Sequence, residues 1–259
     1  MNNLFSLENR VAVVTGGSRG IGEMIVKGLL QNGCSRVYII SRTAEQSTST
    51  AERLKEYGTC IPYVGDISTR EGIDGFFLEI SEHEKSIDIL VNNAGAYCSA
   101  PFSEYSEACW DYTMNINTKT PFFLTQKLAP LLTNAHKTKG HLAKVINISS
   151  TCGISIDGNE AFAYTASKAG LIHLTKSLGT KLIKQGIAVS AIAPGAFPSE
   201  MNPNARDHQE TVGLRIPSGR VGNENDIIGA TIYLASNAGD YVVGSTIIVD
   251  GGSAWATNS

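Results

Sequence analysis

The sequence lacks the features of several other classes of protein. Its 259 residues carry a formal net charge of −3, so no basic surplus is available for nucleic acid or an anionic membrane surface. No apolar run approaches the ~20 residues of a membrane span. The opening segment 1–6 has neither the basic nor the apolar part of a secretory signal. We therefore predict a cytoplasmic chain that binds neither nucleic acid nor membrane.

Ordered patterns of cysteine and histidine are also missing. The five cysteines (Cys34, Cys60, Cys98, Cys109 and Cys152) are odd in number and include no Cys-x-x-Cys pair. The five histidines form no pair at helical spacing. We therefore expect reduced thiols and no metal site. The composition itself, with 42% hydrophobic and 17% charged residues, is that of an ordinary globular domain.

The first part of the chain has the pattern strand, glycine-rich turn, helix. The apolar run 11–15 is typical of a parallel strand buried on both faces, and a helical pattern follows the turn. Glycines let the backbone approach a ligand closely, and the free amides at a helix start attract phosphate. The turn therefore predicts a dinucleotide phosphate site, although its spacing, Gly-x-x-x-Gly-x-Gly, differs from the commoner Gly-x-Gly-x-x-Gly. Its candidate cofactor-binding residues are Gly16, Ser18, Arg19, Gly20, Ile21 and Gly22.

The end of the second predicted strand, 36–42, indicates which dinucleotide binds. At this place an acidic side chain accepts hydrogen bonds from the 2′-hydroxyl of NAD, whereas arginine suits the 2′-phosphate of NADP. Here the strand ends in Ser41 and Arg42 without an acid, and Arg19 is a possible second cation. The sequence therefore predicts NADP(H). Beyond the third strand, Asp66 fits two roles, as a helix cap or as a partner of the adenine amine, and Ile67 follows it.

Polar or small residues follow the later strands as well. The fourth strand, predicted at 87–91, leads into Asn92-Asn93-Ala94-Gly95, where asparagine side chains can tie strands together and Gly95 permits close approach to a ligand. The fifth strand, 144–149, ends at Ser149 and Ser150. The sixth, 188–193, ends at Pro194 and Gly195.

The connections between these strands differ in character. A long helix is predicted at about 106–132, followed by a polar connection at 133–143. The segment 196–221 contains three prolines and little periodicity, so we interpret it as a lid or substrate loop. A helix at 224–235 and a last strand at 246–249 complete the pattern.

Tyr164 and Lys168 lie four residues apart at the start of another helical pattern. They therefore share one helix face, with Cβ atoms roughly 5–6 Å apart. A neighbouring ammonium group favours the phenolate and lowers the pKa of a phenol, which can then exchange a proton with a reacting oxygen. The pattern is weak by itself, because Tyr-x-x-x-Lys also occurs in helices where it does no chemistry.

Taken together, these segments resemble the short-chain dehydrogenase/reductase family over about residues 8–253. The matching pieces are Thr15–Gly22, Asn92–Gly95, Asn117, Ser150, Tyr164 with Lys168, and Pro194 with Gly195. Within the family the chain is similar to β-ketoacyl reductase-like members of the rhamnolipid type, through Val145–Gly153, Ala193–Met201 and Ile216–Gly222. The resemblance implies a single domain over 1–259 with a doubly wound Rossmann fold, in which helices cover both faces of a seven-stranded parallel sheet.

The resemblance also implies a catalytic tetrad that reduces a ketone, or a 3-oxoacyl thioester, to a secondary alcohol. Tyr164 would be the general acid, and Lys168 would lower its pKa and hold the nicotinamide ribose. Ser150 would hydrogen-bond the substrate carbonyl, and Asn117 would hold a water that links Lys168 to solvent. By composition, Asn115 is a rival of Asn117 and Ser149 a rival of Ser150.

Further implications concern the cofactor, the pocket and the partners. Besides the glycine-rich turn, the cofactor would contact a set spread over the strand ends: Ser41, Arg42, Asp66, Ile67, Asn93, Ala94, Gly95, Tyr164, Lys168, Pro194, Gly195, Phe197 and Ser199. The pocket for a small-molecule carbonyl or alcohol would be lined by Tyr97, Cys152, Ile154, Phe197 and Met201. The resemblance implies a homo-oligomer, a tetramer or a dimer, with helices at about 106–132 and 163–184 between subunits.

One departure from the family pattern bears on the substrate. Members that act on acyl carrier proteins have basic residues where this chain has His141 and Gln185. Lys144, Lys181 and Lys184 lie nearby and can substitute for them, so docking of a carrier protein stays open. The alternative to an enzyme is a protein on the same fold that senses a dinucleotide without turnover.

Overall fold

A computed structural model of the chain describes residues 3–156 and 158–256. Within these residues, seven parallel strands form one sheet in the order β3-β2-β1-β4-β5-β6-β7. The strands are β1 (Val11–Thr15), β2 (Arg36–Ser41), β3 (Cys60–Val64), β4 (Ile89–Asn92), β5 (Ala143–Ile148), β6 (Ile187–Pro194) and β7 (Thr246–Val249). The chain reverses its direction of travel across the sheet between β1 and β4, which is the point where open sheets of this kind bind ligands.

The helices of the described residues connect the strands. They are α1 (Gly20–Gln31), α2 (Ala44–Leu54), α3 (Arg70–His83), α4 (Glu107–Met114), α5 (Thr120–Lys139), α6 (Phe162–Leu182), α7 (Pro203–Asp207), α8 (Gln209–Gly213) and α9 (Glu224–Ala235). The strand β1 shows why the sheet is covered on both faces, since every residue of it is buried. Ala12 and Val14 pack into one apolar cluster with α1 and α9, whereas Val11 and Val13 pack into another with α3 and α5. The predicted fold class is confirmed.

Two predictions about the region between β4 and β5 are wrong. The long helix predicted at about 106–132 is interrupted, because one turn of π-helix, Asn115–Lys119, separates α4 from α5. The connection predicted at 133–143 is mostly helix, since α5 continues to Lys139 and ends at Gly140 in the left-handed region (φ 76°). The polar residues that suggested a connection form the exposed side of α5, while Leu128, Leu132 and Ala135 pack against the sheet.

The expectation of five reduced cysteines is wrong for two of them. Cys98 and Cys109 form a disulfide, with their Cα atoms 6.1 Å apart. The segment between them leaves the end of β4 and turns back, so that the first turn of α4 lies beside it. A separation of 11 residues carries no pattern that sequence reasoning uses, which is why the pair was not expected.

The segment 196–221 has more structure than predicted. It contains the short helices α7 and α8, and Ala205, Ile216 and Val221 form a small apolar cluster of their own. None of the helices in the described ranges is both long enough and apolar enough to cross a membrane.

Candidate active site

The polar residues at the ends of the central strands bind to one another and fix the edge on which the site is built. Asn92 Nδ2 donates to Asn147 Oδ1 (2.8 Å) and so ties β4 to β5. Asn93 Nδ2 donates to the carbonyl of Thr15 (2.9 Å), which ties the end of β4 to the end of β1. The predicted role of asparagines in tying adjacent strands is thus seen for both neighbours of β4.

The glycine-rich turn is shaped to let a ligand reach its backbone. Gly20 has φ 53°, in the left-handed region, and a Cβ on Gly22 would lie 2.1 Å from the carbonyl oxygen of Gly16. No side chain caps the start of α1, whose N-cap residue is Arg19. Ser18 is buried, and its carbonyl accepts from Thr50 Oγ1 (2.8 Å), which holds the turn in place. The amides at the start of this helix therefore form a rigid cradle of the kind that binds phosphate.

The end of β2 brings Arg42 next to a residue that the sequence did not suggest. The guanidinium of Arg42 donates to the hydroxyl of Tyr112 on α4 (3.1 Å), and both side chains are exposed. The hydroxyl of Ser41 contacts Ser47 at the start of α2. The hydrogen-bond partner of Arg42 is thus an uncharged hydroxyl group. The positive charge of the guanidinium is therefore available to a bound anion.

Asp66 and Ile67 lie in the turn after β3. Asp66 Oδ1 accepts from the amide of Ser68 (2.9 Å), and hydrogen bonding from Ser68 lowers the pKa of this carboxyl below its ordinary value. The capping role considered for Asp66 belongs instead to Thr69, whose hydroxyl accepts from the amide of Gly72 (3.0 Å). Ile67 is buried in the cluster with α3. Asp66 therefore shapes the loop beside the proposed adenine position.

Arg19 points toward the segment 196–221. Its guanidinium contacts the carboxylate of Glu200, and both side chains are about half exposed. In the same place, Ser199 Cβ lies 3.2 Å from the position that a Cβ on Gly20 would occupy. The glycine-rich turn and the start of the segment 196–221 are therefore in direct contact.

The pair predicted on α6 is buried at the ends of β5 and β6. Lys168 Nζ lies 5.6 Å from the centre of the Tyr164 ring and donates to the carbonyl of Ile148 (2.8 Å). Burial lowers the pKa of Lys168 to about 8. Tyr164 also packs edge-to-face against Tyr97, with ring centres 5.1 Å apart. The structure thus places a phenol and an ammonium group together, in a setting where the ammonium has lost its water.

The two serines considered at the end of β5 point in different directions. Ser149 Oγ donates to the carbonyl of Lys168 (2.9 Å), inside the protein. Ser150 Oγ accepts from the amide of Cys152 (3.2 Å) and keeps its own proton for another acceptor. This geometry favours Ser150 over Ser149 as the group that would meet a substrate.

The two asparagines considered before α5 also differ. Asn117 sits in the π turn, is buried, and binds the backbone of Ala96 through both ends of its amide (2.8 and 2.9 Å). Its Nδ2 also donates to Ser167 on α6 (2.9 Å). Asn115 donates instead to the carbonyl of Ser68 (3.0 Å), on the adenosine side. Asn117 therefore joins the loop after β4 to α6, and π turns of this kind occur often at functional sites.

The last part of the predicted site lies after β6. Gly195 donates its amide to Val249 (2.9 Å), which fixes the backbone beyond Pro194, and Ser199 accepts from the amide of Asn202 (3.1 Å). The side chain of Phe197 does not line a pocket as predicted, because it is only 2% exposed and its ring packs over Gly222. Its apolar ring gains more from the core beneath α9 than from the surface.

The other residues predicted to line the pocket lie around the loop after β4. Gly95 leaves a gap that Met201 faces, with Cε 3.6 Å from the position of an added Cβ. Tyr97 and Met201 are partly exposed, whereas Cys152 and Ile154 are half-buried in the turn that follows β5. Sequence reasoning missed Tyr112 and Glu200, because an exposed residue in a polar helix or loop carries no periodic signal. Among the described residues, no group of three His, Cys, Asp or Glu side chains is placed to hold a metal ion.

Comparison with known proteins defines the class. A family model described as short chain dehydrogenase matches residues 10–210. The chain therefore belongs to the short chain dehydrogenase family of oxidoreductases, and the resemblance inferred from its motifs is confirmed.

Individual relatives match along nearly the whole chain. A rhamnolipids biosynthesis 3-oxoacyl-[acyl-carrier-protein] reductase from Pseudomonas aeruginosa is 42% identical, over 97% of this chain and 99% of its own length. A 2-dehydro-3-deoxy-D-gluconate 5-dehydrogenase from Escherichia coli is 37% identical, over 96% of each chain. Among solved structures, the RhlG/NADP active-site complex of Pseudomonas aeruginosa superposes with a TM-score of 0.91 at 40% identity, covering 98% of this chain and 100% of that chain.

Proposed function

We propose that the protein is an NADP(H)-dependent oxidoreductase that interconverts a ketone and a secondary alcohol. The observation that carries this proposal is the buried pair Tyr164 and Lys168, with Lys168 bound to Ile148 at the end of the strand that leads into Ser150. A protein that only sensed a dinucleotide would need the cradle but not this pair. Relatives named as a 3-oxoacyl reductase and as gluconate dehydrogenases share the same chemical step, since both act between an alcohol and a carbonyl.

The residues present fit an NADP molecule. The cradle at the start of α1 has no room for a side chain at Gly22, so backbone amides face the place of a diphosphate. Arg42, held by Tyr112, would meet the 2′-phosphate, and no carboxylate stands at Ser41 to repel it. When bound, this group supplies the hydride of the reaction.

The chain supplies the position of the carbonyl and its proton. Ser150 would donate to the carbonyl oxygen and so stabilise the negative charge that develops there. Tyr164 would then give its phenolic proton to the same oxygen. Lys168 stabilises the resulting phenolate, and because burial lowers the pKa of this lysine to about 8, it can also pass on a proton near neutral pH.

Asn117 would support this arrangement by position rather than by contact with substrate. Its amide holds Ala96 and Ser167, so the loop after β4 and the helix carrying Tyr164 keep a fixed distance. The predicted relay water would add to these bonds rather than replace them. Asn117 is therefore proposed to position the tetrad.

For the substrate we propose a carbonyl compound that is not attached to a carrier protein. His141 is engaged by Asp88 (Nε2 to Oδ1, 2.8 Å), and Gln185 carries no charge. Lys144, one of the possible substitutes, is buried against Asp240. The two positions themselves therefore offer a carrier protein less positive charge than the family pattern requires, and the nearby exposed cations are Lys181 and Lys184.

The test is the loss of NADPH absorbance with a panel of ketones, 3-oxoacyl thioesters and 2-oxo-sugar acids. We expect turnover on at least one class, and Tyr164→Phe should lower kcat about 10²–10⁴-fold, the usual contribution of general acid catalysis. Tyr241→Phe, at a fully exposed tyrosine outside the site, is the matched control and should keep full activity. A wild type that binds NADPH but turns over none of the panel would indicate the sensing protein instead.

Assembly and location are proposals too. Exposed aromatic side chains on and near α4 and α6, namely Phe102, Trp110 and Phe162, support a homo-oligomer in which these helices pack between subunits. Light scattering at micromolar concentration should show a tetramer or a dimer, and a monomer would contradict this. The cytoplasmic location inferred from the sequence stays a prediction.

A further inference from the structure

The disulfide between Cys98 and Cys109 lies beside the candidate active site. Cys98 follows Tyr97, whose ring packs against the ring of Tyr164 (5.1 Å between centres). Cys109 lies three residues before Tyr112, which accepts the hydrogen bond of Arg42 (3.1 Å). The bond therefore joins a segment that touches the proposed general acid to a helix that touches the proposed cofactor arginine.

Other contacts hold the two ends of this segment but leave its middle exposed. Asn117 binds Ala96 on one side, and the hydroxyl of Ser106 caps α4 on the other (3.2 Å to the amide of Cys109). Between them, the run 101–104 is exposed throughout. Two contacts still hold this stretch: Tyr105 Oη donates to the carbonyl of Cys98 (3.2 Å), and the ring of Phe102 packs edge-on against that of Phe162 (5.8 Å between centres). The disulfide is the covalent link among these weaker contacts, so its loss would loosen Tyr97 and the start of α4 together.

A reagent reaches the pair more easily than it reaches Cys34, whereas Cys60 and Cys152 are half-buried like the pair. Cys34 is buried in the core, and burial raises the pKa of both Cys34 and Cys60 to about 12. Cys98 and Cys109 are partly exposed, and the residues on both sides of each are exposed or half-exposed. Exchange requires a thiolate that can reach a disulfide, and Cys98 and Cys109 are partly exposed and placed to bond to each other.

We propose that Cys98 and Cys109 are a reversible thiol–disulfide site that controls how firmly the segment 97–112 is held against the active site. For a cytoplasmic chain, such a disulfide is usually redox-sensing rather than structural. The oxidised form holds Tyr97 on Tyr164 and Tyr112 on Arg42. The reduced form releases both.

The exchange partner is a low-molecular-weight disulfide of the glutathione class. The thiolate of one cysteine attacks this disulfide, forming a mixed disulfide and releasing one glutathione thiol. The thiolate of the other cysteine then attacks the protein sulfur of the mixed disulfide and releases the second glutathione. In total the protein loses two electrons and two protons, and the oxidised glutathione gains them.

The first experiment measures the bond itself and needs no enzymatic activity. The protein is equilibrated with graded ratios of reduced and oxidised glutathione, alkylated under denaturing conditions and weighed by mass spectrometry. We expect five alkylated cysteines at the reducing end and three at the oxidising end, since five cysteines less the pair leaves three. Five at every ratio would overturn the proposal, and so would three at every ratio, because that bond would be permanent.

The second experiment measures what the bond holds. Limited digestion with chymotrypsin is followed by mapping of cuts at the aromatic residues of 97–112. Cutting there should be several-fold faster in the reduced wild type than in the oxidised one. The double variant Cys98→Ser/Cys109→Ser should be cut at the fast rate in both conditions, whereas the variant Cys60→Ser should respond like the wild type. Equal rates in oxidised and reduced wild type would refute control of the segment, and this arm does not depend on how the variants fold.

A third measurement rests on the proposed function. With a ketone substrate identified, reduction should raise KM several-fold and leave kcat within a factor of two, because Tyr164, Lys168 and Ser150 are not held by the bond. If no substrate is found, the first two experiments still decide the proposal. If KM does not respond while cutting does, the segment moves without shaping the substrate site, which overturns the effect proposed for Tyr97.

Discussion

Two buried lysines lie at opposite ends of the strand β5, and their ammonium groups contact different kinds of partner. Lys144, on the amino-terminal part of β5, is 1% exposed and its Nζ pairs with Asp240 Oδ1 (2.6 Å). Lys168, on α6, is 4% exposed and its Nζ donates to the carbonyl of Ile148, the last residue of β5. None of the ion pairs found within 3–156 and 158–256 includes Lys168. A buried cation without a carboxylate partner is costly to the fold, which is consistent with the catalytic role proposed for Lys168.

The two edges of the sheet also differ in the partners of their charged side chains. At the amino edge, buried Asp88 accepts from Lys139 (2.7 Å), from His141 (2.8 Å) and from the amide of Val11 (2.7 Å). Burial pushes the pKa of Asp88 upward, but these hydrogen bonds outweigh it and hold the pKa below its ordinary value. At the carboxyl edge, Arg42 rests on a neutral hydroxyl. Asp88 at the amino edge is thus paired with cations of the protein, whereas Arg42 at the carboxyl edge is hydrogen-bonded to an uncharged group.

The largest expected effect sharpens the comparison of the two lysines. Lys168→Met should lower kcat/KM by at least about 100-fold, because it removes the group that stabilises the phenolate of Tyr164. Lys144→Met, the matched variant at the other end of β5, should keep kcat/KM within about twofold and affect mainly stability. Steady-state kinetics on both variants is the measurement. Equal losses of kcat/KM in the two variants would mean that Lys168 contributes no more to the reaction than Lys144 does.

The next effect concerns the amino edge. Asp88→Asn should lower the free energy of unfolding by about 3 kcal/mol, the lower end for a broken buried pair, since Lys139 and His141 reach water. Its affinity for NADP⁺ should not change. Urea unfolding gives the first quantity and calorimetric titration the second. Asp207→Asn, in an exposed pair, is the control and should change stability little. A similar loss of stability in both variants would show that the buried pairs of Asp88 contribute no more than an exposed pair.

The pH dependence of stability tests the unpaired state of Lys168. Burial lowers the pKa of Lys168 to about 8 in the folded protein, whereas an unfolded lysine titrates near 10.4. Between about pH 8 and 10.4 the unfolded chain binds more protons, so stability rises with pH there, and below about pH 8 the penalty is fully present. Relative to Lys168→Met, the wild type should therefore gain up to about 3 kcal/mol across this window. Parallel urea curves at several pH values measure the difference, and a constant difference would indicate that the pKa of Lys168 is the same in the folded and unfolded states.

The smallest effect concerns the two ends of β2. Arg42→Ala should weaken NADPH binding about tenfold to a hundredfold, the value of one or two hydrogen bonds to a charged group. Ser41→Asp/Arg42→Ala should prefer NADH, because the new carboxylate repels the 2′-phosphate and accepts from a ribose hydroxyl. Arg36→Ala, at the other end of the strand where Arg36 pairs with Glu84, should leave the cofactor preference unchanged. A wild type that works better with NADH would contradict the assignment of Arg42.

Much of the fold followed from local patterns. The bounds predicted for β1, β7 and α9 are those of the structure. The two strands are short apolar runs, and a capping box marks the start of the helix α9. The end of α5 was missed because its last residues are polar, and polarity alone does not distinguish a surface helix from a loop. The π turn was missed because a single extra residue per turn leaves no clear periodic signal.

The sequence predicted less of the candidate site than of the fold. The order of the motifs indicated Ser150 and Asn117. The structure distinguishes them from Ser149 and Asn115 by the direction in which each side chain points, and tertiary contacts set that direction. The disulfide and the contact of Arg42 with Tyr112 join residues from different parts of the chain. Contacts of this kind arise from the packing of α4 against the rest of the protein, which no local pattern encodes.

The segment 196–221 carries its own small apolar cluster, and its two ends meet. The amide of Gly222 donates to the carbonyl of Ala196 (2.9 Å), so the chain leaves the sheet and returns to it at one point. Ala205, Ile216 and Val221 pack mainly among themselves. Because this segment packs mainly on itself and is anchored at one point, changes within it should alter its shape while the strands beneath stay as they are.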